Sequence, residues 1–489
     1  MKIVIVGGGT AGWMATAALA KTFPEYDITI IVGNEPIGVG ESTTPHINQY
    51  LHYMGITDEV FIPAARATYK MSSRFENIAG EDHVFHYPNG QNIVQDPKFH
   101  HWMLAKAFYP KDLPSFAETF MPFVTVADAG KIPLNDSLLH PYDISKDRAF
   151  HIDGSKFSAF LQETFCSNVR VVHSKVGNVS YNGKRIQSVS VERGPTDLRE
   201  PKIDADLFID CTGQASTLGG AQSKWKPFDS IKLDTAIVEK RDYVDKDKEM
   251  VPYTNAKGME AGWKWTIPTL DYISEGYVFS SKYKSVEGAK HEAGFTDPRV
   301  IKFRNGRYEE AWVANCVKIG LSYSFIEPLE STSLFGVHHG ILALIDQLRQ
   351  GRPGQFARDL YNHNMAEHTD GWLEFVEAHY YYSSRRDTEF WREVTEDTHY
   401  DASSINSHDF VRFLMINGDP VPHDQSPILY ILTGSGYTNI NQRHYDYFGY
   451  PQTISQSTVE NWIALNKARK QLARRMPTMH KYLQDTFKI

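Results

Sequence analysis

Cysteine is scarce in this chain. The three cysteines, Cys166, Cys211 and Cys316, are far apart and odd in number, which suits neither a disulfide framework nor a zinc site and points to a reducing compartment. A basic excess is also missing. Lys and Arg number 51 against 59 Asp and Glu, a net charge of -8, so the chain as a whole has no cationic footprint for nucleic acid. No stretch approaches the roughly 20 uncharged apolar residues that cross a bilayer. The apolar start KIVIVGGGTAGWMATAALA has the low charge and small residues of a secretory signal, but three consecutive glycines interrupt what should be an unbroken helix former. The expectation is a cytoplasmic protein with neither a membrane nor a nucleic-acid partner.

What is present is a large apolar fraction, 41% of 489 residues, enough for a sizeable core. Residues 2 to 6 are apolar and β-branched like a buried parallel strand, residues 10 to 22 read as a helix, and YDITIIV, ending at Val32, reads as a second strand. GGGTAGWM lies between the first strand and the helix, with Gly7, Gly9 and Gly12 in the three positions of GxGxxG. In that pattern the first glycine allows a tight turn, the second lets a pyrophosphate approach the backbone, and the third lets helix pack closely on strand. The phosphates would lie on the free N–H groups at the helix start. Glu35, just past the second strand, is the candidate acid for the ribose hydroxyls.

Further along, ADLFID and NCVKIGLS read as strands, and SYNGKRIQSVSV as a hairpin in which Asn182-Gly183 supplies a type I′ turn. Leu334, Val337, Ile341, Leu344, Ile345 and Leu348 recur at helical spacing until Gly351 and Pro353 stop the helix. The remaining segment is aromatic, mixed in charge and helical in pattern. The basic cluster Lys467, Arg469, Lys470, Arg474 and Arg475 reads as a solvated helix face. The fold expected is α/β: an FAD-binding, Rossmann-like domain of the glutathione-reductase and flavin-monooxygenase type, with additional β-sheet and a mainly helical C-terminal cap. Residues 1–350 form the body, with substrate-side insertions at about 60–150 and 220–300, and residues 351–489 the cap.

Four stretches together select the chemistry. GGGTAGWM, GVGESTTP at 38–45, GWKWTIP at 262–268 and IGLSYSFIEPLEST at 319–332 resemble the flavin-dependent halogenases of the tryptophan-halogenase family. ATYK at 67–70, AFHID at 149–153, LFIDCTG at 207–213, Gly306-Arg307 before WVANC, and RRDTEFWR at 385–392 extend the resemblance over most of the chain. WxWxIP, here Trp263, Trp265, Ile267 and Pro268, is its most specific element. The two tryptophans are expected on opposite faces of their strand, where a core could also hold them for packing alone.

The resemblance implies FAD as cofactor, held by Gly7, Gly9, Thr10, Ala11, Gly12, Trp13, Glu35, Gly40, Glu41, Ser42, Thr43 and Gly320. It implies that reduced FAD, delivered by a separate flavin reductase, reacts with O2 to a flavin hydroperoxide that oxidises chloride or bromide to hypohalous acid. This oxidant would travel a tunnel to the organic substrate, while the WxWxIP wall keeps that substrate from the flavin and from hydroxylation. Lys70 is the implied catalytic lysine, donating a hydrogen bond to hypohalous acid or forming a haloamine with it. Glu330 is its implied partner, polarising the oxidant or taking the ring proton, with Glu327 as rival.

Ser331, Thr332 and Ser333 open the helix that begins near Leu334, and Thr332 and Ser333 are the implied halide site; an ordinary Ser/Thr N-cap is the alternative. The family usually has glycine where Ser333 stands, so the preferred halide stays open. His86 resembles a histidine at the family's substrate pocket. Around YTNINQRHYDYFGYP no residue-by-residue match to the family's tryptophan-gripping positions can be made, and the implied substrate is an electron-rich aromatic, indole or tryptophan-like. A flavin monooxygenase that hydroxylates its substrate and a flavin-binding protein without turnover are the rival functions. No metal is implied, and a homo-oligomer is left open.

Overall fold

The strand Lys2–Val6 has four of its five residues buried because it occupies the middle of a sheet. That sheet runs Trp312–Val313, Cys316–Lys318, Leu207–Asp210, Lys2–Val6, Asp27–Val32, Arg170–His173, parallel throughout except at the first pair. Strands covered on both faces favour apolar residues at successive positions, which explains the runs IVIV at 3–6 and LFI at 207–209. The computed structural model describes residues 1–33, 40–90, 99–108, 113–140, 142–192, 201–396, 411, 414, 426–436 and 456–489. It divides into two units, each built from three segments.

The first unit comprises Met1–Ala67, Ile152–Asp229 and Phe303–Trp372. It contains the parallel sheet, the helix Thr10–Thr22 and the helix Ser333–Arg349, in which all six residues of the expected apolar stripe are buried. The hairpin Val176–Asn182 with Arg185–Val191 also belongs here. Asn182 pairs with Arg185, so the two turn residues are Gly183 and Lys184, and only Gly183 has positive φ, 57°. A type I′ turn needs positive φ at both, so the expected turn type is wrong although the hairpin forms.

The second unit comprises Thr68–His151, Ser230–Lys302 and Leu373–Ile489. Its sheet runs Arg299–Lys302, Thr235–Arg241, Ile273–Phe279, Gly262–Pro268, Tyr253–Met259, Ser72–Glu76, Val84–Pro88, antiparallel except where Tyr253–Met259 meets Ser72–Glu76. The helices Glu389–Glu396, Ser426–Gly434, Gln456–Ala473 and Met479–Phe487 give the C-terminal region its helical character. In Gln456–Ala473 the basic cluster is not all solvated. Arg469 is buried and donates to the carbonyls of Leu138 and Glu118, while Lys467 and Lys470 stay exposed. The expectation rested on the charge pattern alone, and the inward turn of one guanidinium onto two carbonyls overturns it for Arg469. No helix among the described residues is long and apolar enough to cross a membrane.

Candidate active site

The glycine turn of the first unit is built as its spacing suggests. Gly7 has φ +121°, and a Cβ there would lie 2.2 Å from the Cys211 carbonyl oxygen. A Cβ on Gly12 would come within 1.8 Å of the Gly7 oxygen, so the helix can lie against the turn only without a side chain. Gly9 has nothing within 4 Å of the position its Cβ would take. It caps the helix without a side-chain hydrogen bond, so no capping side chain occupies the N–H groups of the first turn. Ala11 follows on the helix, Trp13 is buried, and Gly320, at φ +66°, brings its missing side-chain position within 3.4 Å of the Ala11 Cβ.

A carboxylate lies beside this turn. Thr10 Oγ1 donates to Glu41 Oε1 at 2.8 Å. Burial pushes the Glu41 carboxyl up to about 7, opposed by the Thr10 hydrogen bond and reinforced by the charge of Asp153. Gly154 leaves room for it, since a Cβ there would lie 1.8 Å from Glu41 Oε1. Glu41 sits in the short strand Gly40–Ser42, followed by the buried Thr43. Glu35 lies outside the described residues.

One residue without an assigned role organises the same end of the sheet. Asp210, fully buried, accepts from the N–H groups of Leu218 and Gly219 at 2.8 Å through Oδ2 and from Thr212 and Ser322 through Oδ1. It holds the loop after LFIDCTG against the turn that carries Gly320. Only its place at the end of an apolar strand could have signalled it.

Also in this unit, Glu327 and Glu330 are both buried, and Ser331 adopts a left-handed conformation with φ 58°. The helix then starts at Ser333 with Thr332 as N-cap, in right-handed geometry and with no side-chain capping hydrogen bond. The ordinary N-cap alternative therefore does not describe this helix start. Ser333 needs no positive φ, so its side chain is unstrained where the family usually has glycine. Thr332, Ser333, Gly320, Tyr323, His368 and Trp372 line one cleft of this unit.

The second unit carries the remaining residues. Lys70 is 1% exposed, at the end of the strand Thr68–Lys70, which pairs antiparallel with Ala149–His151. Thr68 Oγ1 donates to the carbonyl of Pro268, the last residue of WxWxIP. His151 contacts Thr68 Oγ1 through Nδ1 at 3.2 Å and Thr254 Oγ1 through Nε2 at 2.9 Å. Burial, with the Lys70 charge second, holds the His151 imidazole well below its ordinary range. It is neutral; since the Thr68 proton goes to Pro268, Nδ1 carries the ring proton and Nε2 accepts from Thr254.

Trp263 and Trp265 lie on the strand Gly262–Pro268, with Ile267 buried beyond them. Their rings are 6.1 Å apart. Residues two apart on a strand share a face, so the expectation of opposite faces is wrong. Trp265 lies across Gly276 of the paired strand, where a Cβ would be 2.1 Å from its ring.

His86 is 7% exposed, with Nδ1 2.9 Å from Ser72 Oγ and Nε2 2.9 Å from Asp128 Oδ1. Both ring nitrogens are thereby engaged within the protein. Its neighbour Tyr87 packs edge-on against Phe375 and Tyr430. Two resemblance motifs prove to be braces: Arg307 grips Asp370 with two 2.8 Å hydrogen bonds, and Arg385 lies over the Trp391 ring while pairing with Asp387. The stretch 437–451 lies outside the described residues. Among those described, no group of three or more His, Cys, Asp or Glu is arranged to hold a metal ion.

A parallel sheet with an open glycine turn at the start of its first helix is the architecture of a dinucleotide-binding α/β domain. The tryptophan halogenase family model matches residues 2–412, and the chain belongs to that family. It is 33% identical over 430 residues to tryptophan 6-halogenase SttH of Streptomyces toxytricini, covering 80% of each chain. The structure described as VirX1 apo superposes with a TM-score of 0.89 at 30% identity, covering 100% of this chain and 99% of the other. BrvH, a flavin-dependent halogenase from Brevundimonas sp. BAL3, superposes with a TM-score of 0.83 at 27% identity over 99% of both chains. The protein is thus a flavin-dependent halogenase, an oxidoreductase. Its glycine turn fits FAD on its own geometry, since only Gly9 faces space that a pyrophosphate could fill.

Proposed function

We propose that this protein uses reduced FAD from a separate flavin reductase, with O2 and chloride or bromide, to halogenate an electron-rich aromatic substrate of the indole or tryptophan type. When bound, reduced FAD supplies with O2, halide and a proton one molecule of hypohalous acid and one of water. Gly7, Gly9, Thr10, Ala11, Gly12, Trp13, Glu41, Ser42, Thr43 and Gly320 hold the cofactor, and the N–H groups at Thr332 and Ser333 hold the halide. The Lys70 ammonium holds hypohalous acid beside the substrate, as a hydrogen-bond donor or by forming a haloamine. Attack by the aromatic carbon on the halogen forms the carbon–halogen bond as the halogen–oxygen bond breaks and its oxygen leaves as water, or, from a haloamine, as the halogen–nitrogen bond breaks and the Lys70 amine is returned. Glu330 takes the proton that this carbon then sheds. Trp263, Trp265, Ile267 and Pro268 form a wall that keeps the organic substrate away from the flavin.

The observation that carries this reading is Lys70 itself. A lysine that is 1% exposed is uncommon, and this one ends a segment hydrogen-bonded to the terminus of the WxWxIP strand. Purified protein supplied with FAD, a flavin reductase, NADH and bromide is expected to brominate members of an indole panel, read by mass spectrometry. Oxygen insertion in place of bromine would assign a hydroxylating monooxygenase, and FAD binding with neither product would leave a flavin-binding protein.

A further inference from the structure

Phe335, on the first turn of the helix Ser333–Arg349, is ringed by imidazoles. His46, His338, His339 and His368 have their ring centroids 4.7, 5.1, 5.7 and 4.6 Å from its own. His339 and His368 stack on each other at 4.1 Å with planes 12° apart. The histidines come from the segment before the helix Ile47–Met54, from Ser333–Arg349 and from Gln355–Tyr381. Among the described residues, the Nε2 atoms of His339 and His368 and both ring nitrogens of His338 are buried without a hydrogen-bond partner. Unpaired buried nitrogens in such number are costly unless something binds there. His368 lines the same cleft as Thr332 and Ser333.

We propose that a halide enters this cleft together with one proton, taken up by the stacked His339–His368 pair, so that halide affinity rises as pH falls. The inference rests on the reading of Thr332 and Ser333 as the halide site. Stacked imidazoles tolerate one shared charge over an aromatic face but repel two, which limits the uptake to one proton. The groups acting on the pair from the three packed elements are His46, His338 and each other. On the helix that carries His368, Asp370 is committed to Arg307, and Glu367 faces His363 on an exposed surface. No carboxylate among these is placed to hold the pair protonated beforehand. Burial and the neighbouring imidazoles press His368 down to about 4, so the pair is neutral at pH 7 until an anion arrives. By linkage, halide and proton then raise each other's affinity equally.

The test is bromide titration of the FAD-loaded protein by calorimetry in two buffers of different ionisation enthalpy, between about pH 6 and about pH 8. Wild type is expected to take up a measurable fraction of one proton per bromide, largest at the acidic end of this range, with Kd rising with pH by up to about tenfold per unit wherever the free pair is neutral and the bound pair charged. His368→Gln and His339→Gln should each cut the proton count by at least half, whereas His363→Gln, on the exposed face, should leave it unchanged. Bromide binding without proton uptake, at a pH-independent Kd, overturns this inference and leaves the halide site standing, and so do glutamine variants that keep the full proton count. Absence of bromide binding in wild type at every pH overturns both. Loss of binding in Thr332→Val, with proton-coupled binding in wild type, supports both.

Discussion

Thr68 Oγ1 donates a 2.6 Å hydrogen bond to the carbonyl of Pro268, tying the segment that ends in Lys70 to the end of the tryptophan-bearing strand. The same hydroxyl accepts from His151, so one side chain serves two buried partners. Thr68→Val conserves volume but removes both of these hydrogen bonds, at a cost of about 2 kcal/mol. Urea denaturation should show that loss, and the halogenation rate should fall with FAD affinity unchanged. Thr68→Ser, which keeps the hydroxyl, should restore most of both; equal stability of the valine variant would remove the hydrogen bond from the account.

Glu41 predicts an unusual pH dependence. Its carboxyl titrates near about 7 in the folded chain, because it is buried, and near its ordinary value when unfolded. Between these values the folded state binds more protons, so this group makes stability fall as pH rises from about 4.5 to about 7, by about 3 kcal/mol in all. In FAD-free protein, Glu41→Gln should come closest to wild type near pH 4 and exceed it by up to that amount near pH 8. Denaturation at the two pH values decides the matter, and an unchanged difference would place the Glu41 titration elsewhere.

Local and distant information separate clearly along this chain. The glycine turn, the helix Ser333–Arg349 and the candidacy of Lys70 were legible because each depends on a short run of residues with its own period or motif. The shared face of Trp263 and Trp265 was equally local and was missed through the strand period. Other features had no local signal. His46, the pair His338 and His339, and His368 meet around Phe335 only after three separate stretches pack, and Arg469 turns inward to carbonyls contributed by residues about 120 to 140 along the chain. Asp210 reads as the end of a strand until the loop Leu218–Gly219 folds back on it.

Lys70 should be separable from cofactor binding. It lies in the second unit, whereas the glycine turn and Glu41 belong to the first. Lys70→Met keeps most of the buried volume and removes the ammonium. It is expected to bind FAD like wild type yet lose product formation by at least about a hundredfold, the scale of a removed transition-state donor. The assay needs a hypohalite scavenger, so that free oxidant does not halogenate the substrate in solution. A normal rate under those conditions would leave Lys70 without a catalytic role.

Gly9 and Gly12 give opposite expectations three residues apart. Gly9 has φ -81° and open space where a side chain would go, so Gly9→Val should cost no more than about 1 kcal/mol in the FAD-free protein. The same side chain would occupy the approach to the helix N-terminus and should weaken FAD binding at least tenfold. Gly12→Ala instead drives a Cβ to within 1.8 Å of the Gly7 oxygen, which forces helix and turn apart. Its cost should be about 1–3 kcal/mol even without FAD, the usual range for overpacking. Thermal denaturation of both variants, with and without FAD, separates a residue that makes room for a ligand from one that makes room for the chain. If Gly9→Val binds FAD as wild type does, the pyrophosphate does not pass over that turn.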